Sequence, residues 1–440
     1  MDPSGRYSHR AVWRIAAPMI VSNVTVPLLG IVDTAVMGHL DHPMYLAAVA
    51  VGSTIFMFLF LGLNFLRMGT TGLAAQAYGA GDADEQRTVL VQAVLIAFSL
   101  AGLLILAQRP VGHLAMALIA PEPEVVGPAW TYYSVRIWAA PAALANFALI
   151  GWFIGMQDSR RPLVMMLFVN LVNIGLSVLF VVGLGYRTGG VAAASVMAEW
   201  AGLALGLSQV RRMLPEGSRT DWGRVRDTAS LRRMLGLNTN LLVRTLSLMF
   251  VFGFVTAQGA RFGTEVLAAN AILIQFQYFM AHALDGLAHA AEALAGRALG
   301  AREPGGFRRA VRLSLGWTVG VAAAFTLAYA TSGPGIVALL TDQASLRATT
   351  ADYLPWIVVS PLVSCWSFLL DGVFVGATWA AGMRNAMVFS AFAVFLPVFY
   401  LAEAAGLGNH GLWLAFLAFM AARAVTMGAI YARRAPRLPA

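Results

Sequence analysis

The octapeptide Ile31-Val-Asp-Thr-Ala-Val-Met-Gly38 ends the first hydrophobic run of the chain, which begins at Ala11. As a helix rising about 1.5 Å per residue, this run is long enough to cross a hydrocarbon core about 30 Å thick. Its one carboxylate, Asp33, lies where an ionised Asp costs roughly 2.5–3.5 kcal/mol. Apolar surroundings favour the protonated form, so Asp33 is a candidate proton carrier. The open alternative is an Asp near the helix end that reaches the lipid headgroups.

The composition is typical of a membrane protein. Of the 440 residues, 59% are hydrophobic and 12% are charged, whereas a soluble domain has about 25% charged residues. All 30 basic residues are arginines, and the single cysteine, Cys365, excludes an intrachain disulfide and a cysteine-based metal site. The net charge of +9 is spread over short loops instead of forming a basic domain, so no nucleic-acid partner is expected.

Hydropathy predicts an all-α polytopic protein with twelve transmembrane helices. The predicted spans are 11–38, 44–77, 86–108, 125–156, 162–183, 188–210, 235–258, 265–295, 308–332, 347–377, 384–405 and 410–431. Most arginines fall in segments that are cytoplasmic when the N-terminus is inside, and an even number of spans returns the C-terminus to the same side. We therefore expect a multi-pass protein of a bacterial inner membrane with both termini in the cytoplasm.

The two halves of the chain share short words at an offset of 221 residues. Leu46-Ala-Ala-Val-Ala50 is matched by Leu267-Ala-Ala-Asn-Ala271, and Gly151-Trp-Phe-Ile-Gly155 is matched by Gly372-Val-Phe-Val-Gly376. Because each copy holds six helices, the copies share one orientation and predict two lobes related by a pseudo-two-fold axis along the membrane normal, with the substrate between them. The predicted segments are an N-lobe at 1–210, a cytoplasmic linker at 211–233 and a C-lobe at 234–440.

Four segments resemble the multidrug and toxic compound extrusion (MATE) family, in its DinF-like branch. They are Val32-Asp-Thr-Ala-Val-Met-Gly38, Asp285-Gly-Leu-Ala-His-Ala-Ala-Glu-Ala-Leu-Ala-Gly296, Leu370-Asp-Gly-Val-Phe-Val-Gly-Ala377 and Met383-Arg-Asn385. The resemblance covers both halves of the chain. It implies a V-shaped pair of six-helix lobes that exports cationic or amphiphilic compounds against an inward flow of protons or sodium. It implies a transporter, not an enzyme, with no cofactor beyond the coupling ion.

The cation site of that family joins an acid on the first helix to an Asn and an Asp on the fifth helix and a hydroxyl on the sixth. By this resemblance, the coupling residues are Asp33, Asn173, Ser177 and Ser195, and the first helix bends at Pro18. Ser177 stands where the family has its second acid. Because a dehydrated metal ion needs several oxygen ligands and negative charge, a single carboxylate suits a proton better. Protons are therefore the predicted coupling ion, with sodium as the alternative.

The eighth predicted span carries four ionisable side chains on one helical face, namely His282, Asp285, His289 and Glu292. Three interpretations are open: a relay facing the cavity, a structural polar seam with Arg244 as counter-charge, and a metal site. By the 221-residue offset, neither these acids nor Asp371 has an acidic counterpart in the first half. This asymmetry favours a functional role for each acid over a shared structural one. We predict that these residues serve drug binding or gating without a metal. Arg67, Arg136 and Glu199 are predicted to form internal ion pairs.

The sequence therefore predicts a monomeric multidrug efflux antiporter that exchanges lipophilic or cationic compounds for protons. Its predicted partners are small-molecule lipophilic cations or amphiphiles and the membrane lipid. The nearest alternative is a flippase for lipid-linked sugars or amphiphiles on the same scaffold, which a more cationic cavity would distinguish. The third hypothesis is an intramembrane metalloenzyme that uses the polar face of the eighth span.

Overall fold

The computed structural model describes residues 3–38, 42–214 and 220–435, and of residues 3, 4, 24 and 26–38 it describes the backbone alone. The first half contains the helices α1 (Pro3–Arg6), α2 (His9–Gly38), α3 (Pro43–Leu63), α4 (Phe65–Ala80), α5 (Ala83–Leu106), α6 (Gln108–Ile119), α7 (Pro123–Arg136), α8 (Ala140–Gly155), α9 (Arg160–Val178) and α10 (Thr188–Met213). The second half contains α11 (Trp222–Val225), α12 (Thr228–Arg261), α13 (Thr264–Gly300), α14 (Pro304–Leu340), α15 (Ala344–Gly376), α16 (Ala380–Val388), α17 (Leu396–Ala404) and α18 (Gly408–Arg434).

The twelve predicted spans all coincide with helical segments. Within the described residues, eleven segments are long and apolar enough to cross a membrane. Helix α2, with 30 residues, occupies the first predicted span. A 3₁₀ turn joins α7 to α8, and short π-helical segments extend α9 and join α16 to α17, at Ile137–Ala139, Leu179–Gly183 and Phe389–Phe395. The protein is therefore all-α and polytopic, as predicted.

Two features differ from the predicted spans. The second span, predicted as one helix over 44–77, is divided at Asn64, whose Oδ1 accepts a hydrogen bond from Arg67 Nε at 3.3 Å. Helix α6 follows the third span and was not predicted. It has 12 residues, which is too short to cross a bilayer, and its Gln108-Arg109-Pro110 start lowers the local hydropathy.

The chain forms two compact units. The N-terminal unit comprises Val21–Ala74 and Asp82–Met234, and the C-terminal unit comprises the residues up to Ile20, Ala75–Gly81 and the residues from Leu235 onward. Within the N-terminal unit, α3 packs on α7, α5 on α8, and α9 on α10. Within the C-terminal unit, α13 packs on α14 and α15, and α15 packs on α18. The repeat-based division into lobes at 1–210 and 234–440 stays a prediction.

The segment predicted as the linker, 211–233, contains a short helix that packs within the N-terminal unit. The Asp221 side chain caps α11 by accepting from Gly223 N at 2.8 Å. Gln92 Nε2 on α5 donates to the carbonyl of Val225 at 3.0 Å, and Arg224 lies 3.5 Å from the carboxylate of Asp82. These contacts tie α11 to α5, while residues 215–219 of the segment lie outside the described range.

Helix α2 contributes to both units. Its first residues pack in the C-terminal unit, where the Trp13 and Trp317 rings meet edge to face at 5.1 Å between centroids and Trp317 Nε1 donates to His9 Nδ1 at 3.0 Å. Further along α2, Asn170 Nδ2 of the N-terminal unit donates to Thr25 Oγ1 at 3.2 Å. The change from one unit to the other falls between Ile20 and Val21.

Candidate cation and substrate sites

Three residues predicted for cation coupling lie together in the N-terminal unit. Asn173 Nδ2 on α9 donates to Ser195 Oγ on α10 at 2.8 Å, and Ser177 Oγ donates to Asn173 Oδ1 at 3.3 Å. All three side chains are buried. Asn173 and Ser177 meet because residues four apart share a helix face, and Ser195 faces them because α9 packs along α10. The result is a buried, hydrogen-bonded cluster that carries no charge of its own.

Asp33 is the fourth predicted member of this site. Its backbone lies in α2, and its side chain lies outside the described part of the structure. The described part of α2 does contact α9, through the hydrogen bond between Thr25 and Asn170. Asn170 is three residues before Asn173, and so the structure brings α2 beside the helix that carries the polar cluster.

Pro18, the predicted hinge, lies inside α2 close to the change between the two units. Just before it, Ala16 packs so closely on α13 that a Cβ added at Gly286 would lie 3.1 Å from the Ala16 carbonyl oxygen. The residues from Val21 onward belong to the N-terminal unit. Because Pro18 lacks a backbone N–H, it removes a helical hydrogen bond three residues before this change. Its role as a hinge stays a prediction.

The strongest charge cluster lies in the C-terminal unit around Asp371 on α15. Its Oδ2 accepts hydrogen bonds from Arg244 on α12 and from Arg423 on α18, the latter at 2.7 Å. Asp285 on α13 also acts electrostatically on Arg423. Four helices therefore contribute two guanidinium groups and two carboxylates to one region, in which Asp371 and Arg423 are buried.

Arg423 is a functional candidate that was not among the residues predicted from the sequence. Its side chain is only 3% exposed, and its guanidinium lies over the Phe419 ring at 5.4 Å from the centroid. An arginine inside the apolar twelfth span was a signal in itself, because intramembrane charges are rare and usually paired. Arg423 Nε, Arg244 Nε and Asp371 Oδ1 are buried without a hydrogen-bond partner among the described residues. These atoms keep hydrogen-bonding capacity that the described contacts do not use.

The polar face predicted on the eighth span divides into separate interactions. His289 Nδ1 lies 3.2 Å from Glu292 Oε2 on the same helix, and both residues are buried. His282 Nδ1 lies 2.6 Å from the carbonyl of Tyr278, one turn earlier. Asp285 instead acts on the cluster around Asp371. Arg244, the predicted counter-charge of this face, contacts Asp371 on α15.

A partly buried ion pair lies in the N-terminal unit. Arg136 on α7 is 3.9 Å from Glu199 on α10, and its guanidinium lies over the rings of Phe56 and Phe60 at 5.5 and 5.6 Å. Asn146 Nδ2 donates to Glu199 Oε2 at 2.9 Å. The predicted pairing of Glu199 with Arg136 is therefore confirmed. Arg67, which was predicted to join such a pair, bonds to Asn64.

The last turn of α4 packs within the C-terminal unit by direct backbone contact. A Cβ at Gly79 would meet the carbonyl of Arg297 on α13, and a Cβ at Gly300 would meet the carbonyl of Gln76. Gln76 Nε2 also donates to the carbonyl of Gly376 at the end of α15, at 2.9 Å. Glycine is required at both contact positions because any side chain would intrude between the helices.

Comparison with known proteins agrees with this architecture. The MatE family model matches residues 18–179 and residues 241–401, once in each half of the chain. The DNA damage-inducible protein F of Escherichia coli (strain K12) is 42% identical over 432 residues, which cover 97% of this chain and 92% of that protein. The multidrug resistance protein PmpM of Pseudomonas aeruginosa is 26% identical over 451 residues, which cover 96% of this chain and 91% of that protein.

Solved structures share the fold. A multidrug resistance MATE family transporter of the MOP superfamily, in an outward-facing conformation, superposes with a TM-score of 0.87 over 98% of this chain and 96% of its own, at 18% identity. A MATE structure in the straight conformation gives a TM-score of 0.88, and one in the bent conformation gives 0.85. The chain therefore belongs to the MatE family of multidrug efflux transporters and is a transporter, not an enzyme.

Proposed function

We propose that this chain exports lipophilic cations in exchange for protons across the inner membrane of a bacterium, as a monomer with both termini in the cytoplasm. The observation that carries the proposal is the different chemistry of the two polar clusters. The cluster of Asn173, Ser177 and Ser195 is buried and neutral. The cluster around Asp371 contains guanidinium groups that neutralise its carboxylate. The first cluster offers neutral hydrogen-bonding groups beside which Asp33 can carry the coupling proton, and the second contains fixed charges.

The position of Asp33 along α2 supports a coupling role beside the neutral cluster. The first and fifth spans run in the same direction across the membrane, because odd-numbered spans share an orientation. Thr25 on α2 contacts Asn170 on α9. From this contact, Asp33 is eight residues further along α2, a rise of about 12 Å, and Ser177 is seven residues further along α9, a rise of about 10.5 Å. Asp33 and Ser177 thus stand at a similar depth. A proton on Asp33 needs no second carboxylate, whereas a dehydrated sodium ion needs further oxygen ligands.

The acids of the C-terminal unit are assigned to cargo binding and gating. Two guanidinium groups, of Arg244 and Arg423, contact one carboxylate oxygen of Asp371, so this acid has counter-charges in its immediate surroundings. Its unpartnered Oδ1 remains as an acceptor for a cationic group. The buried pair of His289 and Glu292 lies on the neighbouring helix α13. A cationic compound would therefore find acceptors in this unit.

The proposed cycle uses α2 as the moving part. With Asp33 ionised, α2 is straight and the cargo site is open. Protonation from outside removes the charge and lets the helix bend near Pro18, so that the cargo leaves outward. This population shift requires that proton and cargo bind different states preferentially. The anchoring of the start of α2 on Trp317, together with its later contact with Asn170, supports a bend between these two attachments.

The amphiphile flippase is the second candidate, and the buried arginines Arg244 and Arg423 are the observation in its favour. A negatively charged head group could bind to two guanidinium groups. We prefer the cation exporter because Asp371 and Asp285 offset both arginines, which leaves no net positive charge in that cluster. Comparing export of an anionic amphiphile with export of a lipophilic cation therefore separates the two candidates.

Efflux from proteoliposomes tests the proposal. Export of a fluorescent lipophilic cation is expected under an imposed proton gradient and not under a sodium gradient alone. Asp33→Asn should remain folded and lose efflux, whereas Asp352→Asn, which neutralises an exposed acid on α15, should behave like the unaltered protein. Efflux driven by sodium, full efflux by Asp33→Asn, or preferential movement of the anionic amphiphile would overturn the proposal.

Proton release on cargo binding, measured in detergent, separates the two assigned roles. The unaltered protein should release a proton when the cation binds. Asp371→Asn should bind the cation more weakly and still release the proton, whereas Asp33→Asn should release none. The opposite pattern would place the coupling site in the C-terminal unit.

A further inference from the structure

A pocket of about 340 Å³ lies at the end of the C-terminal unit where α16 begins and α18 ends. It is separate from the buried clusters described above. Its lining residues are Ala381, Gly382, Asn385, Ile430, Arg433 and Arg434. Two membrane helices and a pair of adjacent arginines thus form one concave surface.

The polar groups of this pocket are donors. Arg433 and Arg434 are exposed in the last turn of α18, and within the described ranges neither forms an ion pair with an acidic side chain. Arg434 lies over the Trp379 ring at 5.4 Å from its centroid, which restrains its guanidinium. Arg384 donates to Asn385 Oδ1 at 2.7 Å, so the Nδ2 amide of Asn385 remains as a further donor. No lining residue is acidic, and this donor set therefore selects an anion with several oxygen acceptors.

The apolar part of the pocket indicates what carries that anion. Ile430 and Ala381 form a wall beside the arginines, one turn before the end of an apolar span. On the same helix, Val425 is 70% exposed on a surface that faces lipid in a membrane protein. A molecule with a phosphate at the rim and hydrocarbon along α18 matches both surfaces. A free phosphate compound would use only the arginines.

We propose that this pocket binds the phosphate head group of an anionic phospholipid, with its acyl chains lying along α18. Arginine-rich pockets at the ends of membrane helices are suited to such head groups, because guanidinium pairs well with phosphate and the apolar stem continues into the bilayer. The site lies on the side that the arginine distribution predicts to be cytoplasmic, where anionic lipids are enriched. The inference does not depend on the transported cargo or on the coupling ion.

Lipid binding to the delipidated, full-length protein in detergent tests the proposal. Phosphatidylglycerol should bind and raise the midpoint of thermal unfolding, whereas phosphatidylcholine should do so much less. The paired substitution Arg433→Gln and Arg434→Gln should weaken binding of phosphatidylglycerol about 25-fold, from about fivefold for each arginine. Arg261→Gln, at an exposed arginine near the end of α12 outside the pocket, should leave binding unchanged.

A second variant tests the shape of the pocket without removing the charges of Arg433 and Arg434. Ala381→Trp fills the pocket while it keeps every arginine, and it should reduce the preference for phosphatidylglycerol as the paired substitution does. Equal binding of the two lipids, or unchanged binding in both variants, would overturn the proposal. Competition by inorganic phosphate as strong as that by phosphatidylglycerol would also overturn it, because the ligand would then be a soluble phosphate compound.

Discussion

Arg423 on α18 donates a hydrogen bond to Asp371 on α15 at 2.7 Å, 52 residues away in the sequence. Arg244 on α12 donates to the same carboxylate oxygen. Asp371 therefore links three helices of the C-terminal unit through one acceptor atom. Because the Arg423 side chain is almost completely buried, the ion pair of Arg423 and Asp371 depends on the close packing of α18 against α15.

We expect Arg423→Met to destabilise the protein strongly. The substitution keeps much of the buried side-chain volume but leaves Asp371 with one of its two charged partners. Removing one member of a buried ion pair costs about 3–5 kcal/mol, because the remaining charge loses its compensation. Thermal unfolding in detergent should show the loss. The double variant Arg423→Met with Asp371→Asn should recover part of it, and additive losses in the double variant would contradict the coupling.

Ser177 provides a test of ion choice. Ser177→Asp would add a carboxylate beside Asn173 and Ser195, at the position where the family has its second acid. With two acids near several oxygen ligands, sodium binding becomes favourable, and efflux should acquire a dependence on sodium. Ser177→Ala should keep proton-driven efflux, because it removes only one neutral hydrogen bond. Sodium-driven efflux by the unaltered protein, or no response of Ser177→Asp to sodium, would contradict this account of ion choice.

Most of the fold could be predicted from the sequence because each membrane span is a run of consecutive apolar residues and is recognised from local hydropathy. Long apolar runs must be helical, since the bilayer interior offers no water to satisfy backbone groups. The same local reasoning missed α6, which is short and begins with polar residues, and it missed the division of the second span at Asn64. Both features depend on contacts and polarity over a few residues, which a window of about 20 residues averages out.

The candidate sites were less predictable because they depend on which helices become neighbours. The i,i+4 spacing of Asn173 and Ser177 is local, whereas their contact with Ser195 was expected only from family resemblance. The shared face of α13 left a relay, a polar seam and a metal site open, and in the structure Asp285 acts on Arg423 while His289 bonds to Glu292. Helical spacing gives the direction of a side chain but not the identity of its partner on another helix.

The backbone contact between α4 and α13 predicts that a glycine-to-alanine substitution has one effect at this contact and the opposite effect at an open position. Gly79→Ala should lower the midpoint of thermal unfolding, because the new Cβ meets the carbonyl of Arg297 and forces the helices apart at a cost of about 1–3 kcal/mol. Gly316→Ala, on α14 with open space around it, should be neutral or stabilising by up to about 1 kcal/mol. Equal midpoints for the two variants would show that this contact tolerates a side chain.

The hydroxyl of Tyr7, just before α2, donates a hydrogen bond to Glu303 Oε2 at 2.8 Å. Burial, and then the hydrogen bond to Glu303 and its negative charge, raise the pKa of Tyr7 above its usual value. Near neutral pH the tyrosine is protonated in both folded and unfolded states, so Tyr7 adds no pH dependence there. Above about pH 10 the unfolded state loses this proton while the folded state keeps it, and the free energy of unfolding falls as the pH rises.

Tyr7→Phe should therefore have two measurable effects. At neutral pH the free energy of unfolding should drop by about 1 kcal/mol, because the hydrogen bond to Glu303 is lost. Above about pH 10 the variant should lose stability less steeply than the unaltered protein, because it has no proton to release from this position. Tyr186→Phe, at an exposed tyrosine, is the matched control and should change neither property. Parallel stability curves for the unaltered protein and Tyr7→Phe throughout the alkaline range would show that burial and the contact with Glu303 do not hold Tyr7 protonated.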